Sequence, residues 1–245
     1  MHQRIADAYS RARQRLLLLD YDGTLASYAP NPGPITPNQE LLSLLSKLAQ
    51  KPATAVAIVS GRSQAELEAA FDHLPVGMAA EHGFFLKESG GQWHAARTFD
   101  NAWKKPVRAL MQAYAAQLPG VLIEEKAVAL VWHYRQAAAA RAHKMARKLH
   151  EALGAISKDL GVRVTQGHKI VEVRLEGVHK GLAALHWLQQ NDWDFVLAAG
   201  DDTTDEDLFR FLPAHAHTIK IGHGHTRARH RLDSPKALHQ LLAAL

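Results

Sequence analysis

The chain has 245 residues, enough for a main domain carrying a smaller insertion; with 47% hydrophobic and 22% charged residues it is unlike disordered, collagen-like or membrane-spanning chains. Its 29 basic against 24 acidic residues leave a formal charge of +5 that favours anionic ligands such as phosphate esters, while the basic residues are too scattered, and too free of interleaved aromatics, for a nucleic-acid partner. With no cysteine, disulfides, thiolate zinc sites and cysteine nucleophiles are excluded.

The first apolar run, 16–19, is too short for a signal-peptide core or a membrane span, so a cytoplasmic protein with no membrane partner is expected. Runs at 16–19, 41–48, 53–59, 67–71 and 78–80 predict βαβαβ with parallel strands. Two helix starts support this order. Thr36-Pro37-Asn38-Gln39 and Ser63-Gln64-Ala65-Glu66 both read as capping boxes, with Pro37 at the first helical position.

From 103 to 174 the rhythm changes: a helix at 103–118, strands at 121–125 and 128–134, a helix at 137–153, then strands at 162–165 and 169–174. This predicts an inserted α-β-β-α-β-β unit. The α/β alternation then resumes with a helix from Lys180, a buried strand at 195–199, an acidic helix start, a strand at 217–221 and a last helix from Ser234. The expected domains are a core of 1–102 and 176–245 and an inserted cap of 103–175.

Four local patterns carry chemistry. Leu16-Leu17-Leu18-Leu19-Asp20-Tyr21-Asp22-Gly23-Thr24 is a buried strand delivering two carboxylates at its C-terminal end, where ligands sit in open α/β sheets. One carboxylate can attack phosphorus while the other handles the leaving-group proton. A plain Asx turn, with Gly23 supplying positive φ, explains the motif better when it is taken alone, and an EF-hand fails for want of further oxygen ligands. The second pattern, 195–206, runs from a strand into Gly200-Asp201-Asp202-Thr203-Thr204-Asp205-Glu206, a self-repelling cluster suited either to a hard cation such as magnesium or to helix capping. Ser60-Gly61-Arg62, where a strand end meets a helix start, offers a hydroxyl, N–H groups and a guanidinium to phosphate oxygens. Lys180 beside Gly181 offers a counter-charge.

Taken in order, Asp20-Tyr21-Asp22-Gly23-Thr24, Ser60-Gly61-Arg62, Lys180 and Gly200-Asp201-Asp202-Thr203-Thr204-Asp205 resemble the motifs of haloacid dehalogenase-like phosphatases. The finer wording is similar to the trehalose-6-phosphate phosphatase family: Ala80-Glu81-His82-Gly83, Glu124-Glu125-Lys126, Trp132-His133-Tyr134-Arg135, and Asp207-Leu208-Phe209 after the acidic cluster. The resemblance implies a Rossmann-like core with a parallel sheet and an inserted α/β cap, acting with Mg2+ on trehalose 6-phosphate through an aspartyl-phosphate. It implies Asp20 as nucleophile and metal ligand, Asp22 as general acid/base and ligand through its carbonyl, and Asp201 as third ligand. Asp202 and Asp205 would lie outside the metal's ligands or hold Lys180, while Ser60 and Lys180 would bind the phosphoryl group, with Gly61 and Arg62 as substrate-binding residues.

The resemblance further assigns sugar recognition to Glu124, Lys126, Arg135, Lys169 and Glu172, and trehalose-6-phosphate synthase as a partner. Carboxylates paired with basic groups can read sugar hydroxyls, although cross-strand salt bridges would use the same residues. His133, between Trp132 and Tyr134, reads as a packed core residue without a catalytic role, and the pairs His215/His217 and His223/His225 lack zinc-site spacing. The sequence departs from the family at Ala26-Ser27-Tyr28-Ala29-Pro30 and at His168, both of which bear on substrate identity. Alternatives are a phosphatase for sucrose 6-phosphate or a glycosyl-phosphoglycerate, a phosphomutase, or a silent partner domain of a trehalose-synthesising enzyme.

Overall fold

The computed structural model describes residues 1–27, 36–167 and 169–245. The chain divides into two units, Met1–Ala96 with His179–Leu245, and Arg97–Val178. The inserted unit therefore runs from 97 to 178, where the sequence placed it at 103–175.

The first unit is built on an eight-stranded sheet in the order β12-β11-β10-β1-β2-β3-β4-β5. Its centre is β1 (Arg15–Leu19), flanked by β10 (Phe195–Gly200) and β2 (Thr54–Val59), all parallel. Leu16, Leu17, Leu18 and Leu19 are all fully buried because a central parallel strand is covered on both faces, which is why it reads as an unbroken apolar run. Leu19 stands level with Ala199 on one side and Ile58 on the other, so the residues following three strands emerge together. The chain runs outward through β2 and β3 (Gly77–Ala80), then returns to the far side of β1 as β10, making the β1/β10 border the switch point where α/β sheets open a crevice.

Helices α2 (Gln39–Ala49), α3 (Gln64–Phe71), α6 (Gly181–Leu188), α7 (Asp205–Arg210) and α8 (Pro235–Ala243) complete this unit with β11 (His217–Ile221). The capping box at Ser63 and Glu66 forms as read from the sequence. The one at Thr36 does not: Asn38 caps α2, accepting from the Leu41 N–H, so Pro37 precedes the helix. Four elements were not anticipated. Helix α1 (His2–Arg11) buries only Ile5 and Tyr9, one turn apart in a polar stretch, and β4 (Phe85–Lys87), β5 (His94–Ala95) and β12 (His230–Leu232) are too short to show a period. The departures noted at Tyr28, Ala29, Pro30 and His168 lie outside the described residues.

The second unit is a four-stranded antiparallel sheet in the order β6-β7-β9-β8, from β6 (Leu122–Glu125), β7 (Ala129–His133), β8 (Val162–Gly167) and β9 (Ile170–Leu175), with α4 (Lys104–Ala115) and α5 (Ala139–Ser157). Alternation sends Leu130, Trp132, Val171 and Val173 into one core with Val107, Met111, Ala146 and Leu149 of the helices. The other sheet face carries the row Glu124, Val131, Glu172 and Thr165, held level by strand register.

Candidate active site

Asp20 follows β1 and is 3% exposed, its N–H bonded to the Ala199 carbonyl. Its Oδ1 accepts from Lys180 Nζ at 2.6 Å, and Lys180 Nζ also donates to Asp205 Oδ1 at 2.7 Å. Asp205 Oδ2 accepts from the backbone N–H groups of Asp201 and Asp202 at 2.9 and 3.0 Å, so Asp205 spends both oxygens in organising its neighbours. Asp202 in turn accepts from the Thr204 N–H and hydroxyl, closing the turn that starts α7. Asp20 Oδ2 is the exception: it is buried and has no hydrogen-bond partner among the described residues.

These contacts shape the electrostatics. Burial lifts the Asp20 carboxyl well above its ordinary range, against the pull of Lys180, with Asp205 and Asp201 adding to the rise. For Lys180 burial acts downward, yet the charges of Asp20, Asp205 and Asp202 outweigh it and keep the amine firmly cationic. Burial also raises Asp202, but Lys180, the Thr204 donors and His82 more than reverse this and hold it low.

Ligand atoms of Asp20, Asp201 and Asp205 lie within 4.8 Å of one another, close enough to share one cation. The partnerless Oδ2 of Asp20 fits a cation ligand, whereas Asp205, with both oxygens engaged, fits the role of holding Lys180. Gly23 makes room for the group: at φ +87° it adopts a left-handed conformation, and a Cβ there would stand 2.3 Å from Asp201 Oδ2. An all-carboxylate donor set suits a hard divalent cation.

Ser60 follows β2, is 1% exposed and accepts from the Arg62 N–H at its Oγ, 3.2 Å away. Arg62 turns to Asp22, donating from Nε at 2.7 Å and from Nη2 at 2.9 Å, and its Nη1 reaches Glu66 Oε1 at 2.8 Å. The structure thus gathers Asp20, Asp22, Ser60, Gly61, Arg62, Lys180, Asp201, Asp202 and Asp205 around the strand ends of the first unit. One neighbour, His82, is named in the sequence only within Ala80-Glu81-His82-Gly83 and given no role there. His82 lies in a run of left-handed residues after β3 (Glu81 φ 46°, His82 φ 60°, Gly83 φ 85°) that turns its ring to within 2.7 Å of where a Cβ on Gly61 would stand.

The second unit holds the remaining candidates. Glu124 lies on β6 and Glu172 on β9, while Lys126 follows β6, Arg135 follows β7 and Lys169 sits in the turn before β9 at φ 60°, off the strand expected for it. Glu124 Oε2 lies 2.7 Å from His133 Nε2, and Glu124 Oε1 lies 3.9 Å from Lys126 Nζ. His133, expected in the core, is therefore on the polar face among the acidic groups, because β7 sends Trp132 to the helices and its neighbour the other way. Arg174, also unanticipated, is 2% exposed on that same face and donates to Glu172 at 3.3 Å.

The trehalose-phosphatase family model matches residues 18–236. A bifunctional trehalose-6-phosphate synthase/phosphatase of Thermoproteus tenax is 43% identical over 237 residues, covering 97% of this chain and 32% of its own length. The solved C-terminal domain of Candida albicans trehalose-6-phosphate phosphatase aligns at TM-score 0.92 and 30% identity, covering 99% of this chain and 96% of that one. A haloacid dehalogenase-like hydrolase from Bacteroides thetaiotaomicron, at TM-score 0.68 and 11% identity, covering 94% and 98%, shares the fold. This chain spans about a third or less of the length of the curated relatives it matches.

Proposed function

The chain belongs to the trehalose-phosphatase family, and from that membership we propose that it hydrolyses trehalose 6-phosphate to trehalose and inorganic phosphate. The observation that carries this reading is the Oδ2 of Asp20, buried at the end of β1 and unbonded, beside a fixed ammonium and a second carboxylate. A buried carboxylate oxygen without a donor is costly unless a cation completes it, and the carboxylate that carries it can meet phosphorus as its electrophile.

In this mechanism the carboxylate of Asp20 attacks phosphorus and the bond from phosphorus to the sugar oxygen breaks. Asp22 gives its proton to that oxygen, so trehalose leaves neutral and Asp20 carries the phosphoryl group. Water then attacks phosphorus, Asp22 takes its proton, and phosphate departs with Asp20 restored. Lys180, Ser60 and the N–H groups at Gly61 and Arg62 hold the phosphoryl oxygens in place. Asp20, Asp201 and the carbonyl of Asp22 would hold Mg2+, which when bound neutralises charge on the transferring group. Lys180 keeps Asp20 oriented, and Asp205 keeps Lys180 oriented.

The same proposal gives sugar recognition to Glu124, Lys126, Arg135, Lys169 and Glu172 of the second unit, with His133 beside Glu124 and Arg174 beside Glu172. The Thermoproteus tenax relative is bifunctional, which supports a trehalose-6-phosphate synthase as partner. Among the described residues no helix is long and apolar enough to cross a membrane, in keeping with the cytoplasmic placement we propose.

The test is phosphate release from trehalose 6-phosphate, sucrose 6-phosphate and glucose 6-phosphate, each with magnesium and with chelator. A magnesium-dependent preference for the trehalose ester is expected. Preference for another ester would keep the mechanism and reassign the sugar, and no release from any would leave a silent domain.

A further inference from the structure

Two residues of the β4–β5 hairpin, Glu88 and His94, meet one distant in sequence, His186, at the end of the large sheet. Glu88 follows β4, His94 opens the two-residue edge strand β5 opposite Leu86, and His186 lies in α6. Their ligand atoms all fall within 4.8 Å of one another. Glu88 Oε1 is 2.7 Å from His186 Nε2, and the rings of His94 and His186 have centroids 5.3 Å apart. In the turn just past the end of α6, Gln190 Nε2 stands 2.9 Å from His186 Nε2 and 3.3 Å from Glu88 Oε1. The cluster is open to solvent, with the Glu88 side chain 42% exposed.

We propose that Glu88, His94 and His186 form a second cation site, for zinc or a similar borderline transition metal, independent of the carboxylate group around Asp20. Two imidazoles and a carboxylate are a donor set for zinc and its neighbours, whereas magnesium prefers oxygen ligands throughout. Ligand atoms around a tetrahedral zinc stand about 3.3 Å apart for bonds of about 2.0–2.1 Å, and the donor atoms of these three side chains already lie within 4.8 Å of one another. Gln190 or water can close the fourth position. Among the described residues the only other group of three able to hold a cation is Asp20, Asp201 and Asp205, which has no imidazole. The bound metal would fasten the short edge strand β5 to α6, the helix that Lys180 begins.

The test is calorimetric titration of the full chain with ZnCl2 under excess MgCl2, alongside thermal melts with and without zinc. One tight site and a zinc-dependent rise in Tm are expected. His94→Ala, at an exposed position, and Glu88→Gln should each weaken zinc binding by about tenfold or more and remove the rise in Tm. The double variant His223→Ala with His225→Ala should bind as the parent does. Unchanged zinc affinity in both His94→Ala and Glu88→Gln would overturn the site, as would loss of binding in the His223/His225 variant alone. Both readouts are independent of phosphatase activity, so this inference stands or falls apart from the proposed reaction.

Discussion

Arg62 holds both carboxylate oxygens of Asp22, from Nε at 2.7 Å and from Nη2 at 2.9 Å, and the same guanidinium is braced by Glu66 at 2.8 Å. The bond to Asp22 foremost, and Glu66 after it, raise the proton affinity of Arg62, so the guanidinium is always charged and the fork is a lasting one. While it persists, Asp22 cannot deliver a proton. An acid/base role for Asp22 therefore requires its carboxylate to leave Arg62 when substrate phosphate offers the guanidinium another anion.

Asp22→Asn should then lower kcat by about 10²–10⁴, the usual contribution of a positioned acid/base. The fold should hardly notice, because the pair is partly exposed and Arg62 keeps Glu66; the change in stability should stay within about 1 kcal/mol. Phosphate release and thermal melts on one preparation check both parts. Wild-type turnover in the variant would remove Asp22 from proton transfer.

Lys180 and Asp20 should differ in what their loss does to stability. Lys180→Met leaves Asp20 and Asp205 buried together without their shared cation, and destabilisation of about 3–5 kcal/mol is expected in chelator. Asp20→Asn leaves Lys180 still paired with Asp205, so it should cost clearly less while abolishing turnover. Urea unfolding of both variants tests the order. If Asp20→Asn proves the more damaging to the fold, Asp205 is not the second anchor of Lys180.

Much of this was legible in the sequence, for a definite reason. A central parallel strand must be apolar on both faces and must stop abruptly where polar residues appear, so the leucines before Asp20 and the run before Asp201 announce both the strands and their ends. The pairing of Arg62 with Asp22 was not legible, since it depends on how β1 and β2 lie side by side and not on spacing along the chain. His133 and Arg174 escaped because alternation fixes two faces without saying which one meets the helices. Glu88, His94 and His186 escaped because no local pattern links an edge strand to a helix so much later in the chain.

Glu172 is 5% exposed and faces Arg174 within the polar face of the second sheet. Glu172→Gln keeps its size and removes its charge. If it reads sugar hydroxyls, kcat/KM for trehalose 6-phosphate should fall by about tenfold or more, the range of a hydrogen bond to a charged group, at about 1.5–3 kcal/mol. Hydrolysis of a small phosphate ester should stay within about twofold, because such a substrate has no sugar to be read. Equal losses on the two substrates would confine Glu172 to supporting Arg174.

His217 on β11 and His230 on the neighbouring edge strand β12 stack with centroids 5.9 Å apart, His217 also lying 5.2 Å from the Phe195 ring. Burial first, then His230, Arg229 and His215, lowers the proton affinity of His217 below its ordinary 6.5; burial foremost, with Arg229, does the same for His230. With folded values below unfolded ones, the unfolded chain binds the extra protons as acid is added. These two groups therefore cost nothing well above 6.5 and destabilise progressively as pH falls through 6.5 toward their lower folded values. Urea unfolding followed from about pH 8 to about pH 5 should show the parent losing stability faster than a His217→Gln/His230→Gln double variant, with the two curves parallel at the alkaline end. Parallel curves at the acidic end as well would mean that the stacked pair accepts protons as readily as the unfolded chain does.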